Sequence, residues 1–166
     1  PPTINDRCFW GALADTEPDA WGRRVIARAH AKARAKDASL SPLTELDYLA
    51  AVDDVSRIGA LRLRSETGAY LRSVSDGERS TPAFLELEKI LSASRAVELS
   101  RETVEDLAYL QGKGTSLGGM RPKCTLQDSD GALCLAKFPS VGDERAVTRG
   151  EVLALHLARL AGIDSA

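Results

Sequence analysis

Residues 111–166 fix a definite order of elements: a glycine-rich stretch, two strand-like runs joined by a tight turn, and one long helix. Gly112, Gly114, Gly118 and Gly119 fall within eight residues. The strand-like runs cover Met120 to Gln127 and Ala132 to Phe138. Between them, Asp128-Ser129-Asp130-Gly131 carries the Asp-Gly signal of a β-hairpin. From about Glu144 to Leu160 the apolar period is helical, and Gly162 closes that helix.

The first 110 residues have a different character. Thr16-Glu17-Pro18-Asp19 reads as a helix start, with a capping hydroxyl, an early proline and acids in the first turn. The helix it opens extends to about Arg34, with Trp21, Val25 and Ile26 on one side and a basic run, Arg23 to Lys36, on the other. Ser41-Pro42 opens a second helix carrying Leu43, Leu46, Leu49 and Ala50. Around Ile58, Leu61 and Leu63 the period suggests a strand, with Gly68 to Leu71 as its hairpin partner. Residues 73–79 read as a loop. Thr81-Pro82 opens a third helix, and Ser100 caps a fourth that ends near Leu110. The expected fold class is α+β: a helical amino-terminal region over 1–110 with a small β-hairpin, then a loop–hairpin–helix unit over 111–166.

Composition removes several function classes. Hydrophobic residues at 43% and charged residues at 28% fit a globular chain rather than a disordered one. No apolar run approaches bilayer length and no secretory leader is visible, so a cytoplasmic protein without a membrane partner is expected. Cys8, Cys124 and Cys134 make an odd set without CxxC, which points to reduced thiols and to no metal site. A net charge of -2 argues against a dedicated nucleic-acid binder. Spacing also excludes two nucleotide motifs. Leu107 stands where Walker A needs its first glycine before Gly112-Lys113, and Leu117 stands at the third glycine of a GxGxxG.

Three features carry chemistry. Gly114 to Lys123 combines glycines, which let backbone N–H groups approach a phosphate, with the positive charge of Arg121 and Lys123. The same residues also suit a plain turn. Lys137 shares a strand face with Leu133 and Leu135, so its ammonium either reaches solvent or takes a partner. Glu151 falls within a helical stripe of Val147, Ala154, Leu155 and Ala158, where a carboxylate reaches water at the edge or is paired. Lys137 lies one loop away and is the natural partner. A glycine-rich loop over phosphates, a strand lysine on them and a helix glutamate orienting the lysine is the logic of a protein-kinase small lobe.

The stretches Gly-Thr-Ser-Leu-Gly-Gly-Met-Arg-Pro-Lys, Leu-Ala-Lys-Phe-Pro-Ser and Arg-Gly-Glu-Val-Leu-Ala-Leu-His-Leu-Ala-Arg-Leu-Ala-Gly-Ile resemble the HipA family, bacterial serine/threonine-protein kinases that are the toxins of toxin–antitoxin modules. Upstream, Leu-Ala-Asp-Thr-Glu-Pro-Asp and Arg57-Ile58-Gly59-Ala60-Leu61 are similar to the family as well. The resemblance implies an ATP-binding loop made of Ser116, Leu117, Gly118, Gly119, Met120, Arg121, Pro122 and Lys123. It also implies that Ser116 is an autophosphorylation site, that Lys137 contacts the ATP phosphates and that Glu151 holds Lys137. It implies ATP and Mg²⁺ as cofactors of the whole kinase, an aminoacyl-tRNA synthetase as protein substrate, and a HipB-like helix-turn-helix antitoxin that carries the complex to operator DNA. The family's catalytic and metal-binding aspartates lie beyond the position matching Ala166. The resemblance therefore assigns no catalytic residue and no metal ligand here, and these 166 residues alone are expected to be inactive. Asp128, Asp130, Asp143 and Asp164 read as solvated turn acids. The alternative is a non-enzymatic module that binds a HipB-like antitoxin or the missing kinase lobe.

Overall fold

A computed structural model describes residues 8–54, 57–72, 86–111 and 119–165. Among these are six helices and one two-stranded antiparallel sheet, an α+β arrangement. The helices are α1 (Gly11–Ala14), α2 (Ala20–Lys36), α3 (Glu45–Ala51), α4 (Leu87–Glu98), α5 (Val104–Leu110) and α6 (Val147–Leu160). The strands are β1 (Lys123–Gln127) and β2 (Leu133–Lys137).

Local side-chain chemistry sets several boundaries, and it moves some of them from the expected places. Thr16 does not cap α2, because its hydroxyl donates to Leu13 O at 2.8 Å and closes α1 instead. Asp19 is the cap, accepting Gly22 N at 2.7 Å. Thr44 with Asp47, and Thr103 with Asp106, form reciprocal capping boxes at α3 and α5, each satisfying two otherwise orphaned N–H groups. Ser41 and Ser100 therefore do not cap these helices. Ser100 instead adopts a left-handed φ of 57° in the α4–α5 connection. The β element expected after Ile58 reduces to one bridge, Arg64 to Tyr70. The expected start of α4 at Thr81-Pro82 lies outside the described residues.

β1 and β2 pair from Lys123↔Lys137 to Gln127↔Leu133. Their turn is held by Asp128, whose Oδ1 accepts Asp130 N and Ala132 N, both at 2.9 Å, while Gly131 adopts a φ of 85°. One hairpin face supplies Cys124 and Leu126 to a core shared with Trp21 and Val25 of α2, Ile90 and Val97 of α4, and Leu107 of α5. The helical part thus covers one side of the hairpin and fixes its orientation. Arg57, only 4% exposed, ties the α3 end to the α1–α2 turn by donating to Leu49 O, Val52 O and Thr16 O.

α6 stands apart, with no buried residue. No described helix is long and apolar enough to cross a membrane.

Candidate functional site

The cationic end of the hairpin is built by register. Lys123 and Lys137 are direct cross-strand partners, and directly opposed side chains share a face at roughly 5 Å between Cβ atoms. Two like charges so close oppose pairing unless each is neutralised. Each has its own carboxylate, supplied by a different helix.

Lys123 Nζ donates to Asp19 Oδ2 at 2.8 Å, with side chains 6% and 2% exposed. The other oxygen of Asp19 caps α2, so one carboxylate joins the first long helix to the hairpin. Burial pushes Asp19 above the ordinary aspartate range, opposed by Lys123 and the Gly22 N–H. Gly119 lies over this pair. Its φ is 121°, and a Cβ there would stand 3.2 Å from Lys123 Nζ. The left-handed φ favours glycine, and a Cβ there would crowd the Lys123 ammonium.

Lys137 Nζ donates to Glu151 Oε1, linking β2 to α6. This pair is open, with side chains 44% and 39% exposed. Of the two lysines, Lys137 is the one a solute can reach; Lys123 serves as a buried strut.

The segment entering β1 is also held. Arg121 is paired with Asp143 at 2.6 Å, which raises the affinity of the guanidinium for its proton and holds the Asp143 carboxyl below its ordinary range. Asp143 also accepts Ser140 N at 3.1 Å, so it fastens the loop after β2 and is not merely a solvated turn acid. Glu98, at the end of α4, accepts Ser140 Oγ and Val141 N. Pro122 O accepts Phe138 N at 2.9 Å, and Met120 is 73% exposed. Ser116, Leu117 and Gly118 lie outside the described residues.

Gly119 to Lys123, Lys137 and Glu151 therefore meet at one end of the hairpin. The sequence pattern missed Asp19, which lies 104 residues from Lys123. It also missed the anchoring role of Asp143. The carboxylate standing three residues after Ser140 was the available sign of that role. No group of three or more metal-ligating side chains occurs among the described residues. An exposed lysine steadied by a carboxylate, near a backbone whose left-handed φ favours glycine, can receive an anion such as a phosphate.

No family model, curated protein or solved structure matches the chain.

Proposed function

We propose that residues 111–166 are the nucleotide-gripping part of a HipA-like serine/threonine-protein kinase. The observation that carries this reading is the Lys137–Glu151 pair, which joins a hairpin strand to the following helix directly after a glycine-rich segment. A strand lysine held by a helix glutamate is the arrangement by which protein kinases position an ammonium against ATP phosphates.

In this reading Glu151 aims the Lys137 ammonium, whose exposure lets a phosphate approach. The glycine-rich backbone preceding β1 covers the nucleotide. Asp19, through Lys123, and Asp143, through Arg121, hold the β1 end of that segment. ATP supplies the phosphoryl group. Mg²⁺ would be held by aspartates outside these 166 residues, together with the residue that activates the acceptor hydroxyl. The proposed substrate is a protein such as an aminoacyl-tRNA synthetase. The proposed partner is a HipB-like antitoxin that brings the complex to operator DNA.

The uncovered state of α6 favours docking of a second lobe. Val152, Leu153, Leu157 and Leu160 are each more than half exposed, and a helix so apolar ordinarily lies inside a fold.

Phosphate transfer from γ-labelled ATP by the product of the whole reading frame tests the reading. Activity that is abolished by Lys137→Ala supports it. Equal activity in both proteins rules out the assignment of Lys137.

A further inference from the structure

The basic helix α2 has a surface that the nucleotide reading leaves unused. Two adjoining cavities, of about 450 and 220 Å³, lie along it, and both are lined by Ala29, Ala33 and Gln111. The larger opens toward α3 (Leu43, Asp47, Ala50) and the smaller toward α5 (Val104, Leu107, Ala108). Together they form one trough whose floor is the small-residue ridge of α2. From Ile26 to Lys36 it runs about 15 Å at 1.5 Å per residue. Alanines on the floor let another backbone come close.

Basic side chains stand on both rims. Lys32 and Lys36 line the α5 side, while Arg72 and His30 line the α3 side. Among the described residues, Arg72 and Lys36 have no acidic partner. Lys32 Nζ spends one proton on Glu102 O at 2.8 Å, and the Glu102 carboxylate is taken by Arg28. Asp47, the one carboxylate lining the trough among the described residues, is engaged by Thr44 N at 2.7 Å and Thr44 Oγ1 at 2.6 Å in the α3 cap. His30 Nε2 donates to Ser41 O at 2.9 Å. The trough thus has a floor of small residues between Lys32 and Lys36 on one edge and Arg72 on the other, with Asp47 tied into the α3 cap.

We propose that this trough docks an amphipathic helix of a partner protein, with aliphatic side chains on the face toward Ala29 and Ala33 and carboxylates along both flanks. Charge complementarity selects that occupant. A second copy would bring a like-charged α2 against Arg72 and Lys36, and a basic segment would be repelled. The inference is independent of Lys137 and Glu151.

Fluorescence anisotropy with a labelled synthetic helix, leucine and alanine on one face and glutamates on its flanks, tests it. The intact chain should bind this probe, and more weakly as salt rises. Ala33 is exposed, so Ala33→Arg should keep the fold, checked by circular dichroism, while filling the trough. That variant, and separately the Arg72→Glu, Lys36→Glu double variant, should weaken binding by at least about tenfold, a change of about 1.4 kcal/mol. Leu157→Asp with Leu160→Asp, on the uncovered α6, should leave binding unchanged. The proposal is overturned if the acidic probe does not bind, if its lysine-flanked twin binds as tightly, or if Ala33→Arg binds like the parent. Self-association abolished by Ala33→Arg would also overturn it, in favour of a second copy.

Discussion

Lys123 and Lys137 stand opposite each other on one hairpin, yet their carboxylates predict opposite consequences on mutation. The Asp19–Lys123 pair is almost fully removed from water. Asp19→Ala leaves an ammonium buried without its counter-charge and uncaps α2, so urea unfolding should show a loss of about 3–5 kcal/mol. Asp19→Leu combined with Lys123→Met should recover most of it, because a matched apolar pair strands no charge. A single-variant loss under about 1 kcal/mol would contradict the strut. The Lys137–Glu151 pair is open to solvent, where such pairs are worth about 0–1 kcal/mol. Glu151→Gln should therefore unfold within about 1 kcal/mol of the parent, which leaves any functional deficit attributable to the site. A third residue, Asp47, predicts a pH dependence. Its hydrogen bonds from Thr44 hold it below the ordinary value of 3.8, so the folded chain favours the ionised form. That stabilisation is present above 3.8 and is lost as pH falls through the depressed value. Thermal unfolding between pH 5 and pH 2 should show a larger acid loss for the parent than for Asp47→Asn. Equal losses would show that the cap does not titrate.

At the scale of elements, what was legible in the sequence was local. The Asp-Gly turn announced the hairpin because turn chemistry acts within four residues. The α6 period and Gly162 announced the last helix, and Gly162 adopts the left-handed φ of 77° that such a terminator requires. Caps were less legible, since several hydroxyls compete near each helix start; at α3 and α5 the reciprocal acid three residues later decides. Thr44 with Asp47 and Thr103 with Asp106 have that acid in place; Ser41 has Thr44 there, and Ser100 has Thr103. The strand expected near Ile58 lacked a partner run long enough to form a ladder and remained a single bridge. The Asp19–Lys123 contact was not legible, because nothing in local pattern ties a helix cap to a strand a hundred residues later. Lys137 and Glu151 were legible for the converse reason: consecutive elements pack beside each other, and each carried one charge among apolar neighbours.

For the whole molecule, the core and the uncovered face predict different sensitivities. Ile90 is fully buried in the shared core, and Ile90→Ala should cost about 2–5 kcal/mol. Leu157→Asp and Leu160→Asp, at positions 54% and 73% exposed, should each change stability by no more than about 0.5 kcal/mol in this chain. A large loss would mean that α6 is already covered. The role of the open lysine on that side of the hairpin is read by calorimetric titration of ATP with Mg²⁺ into the product of the whole reading frame, comparing the parent with Lys137→Ala and Glu151→Gln. Lys137→Ala should weaken binding by at least about tenfold, or about 1.4 kcal/mol, Glu151→Gln should weaken it less, and both variants should remain folded. Unchanged affinity in a folded Lys137→Ala protein would rule out a phosphate contact by Lys137.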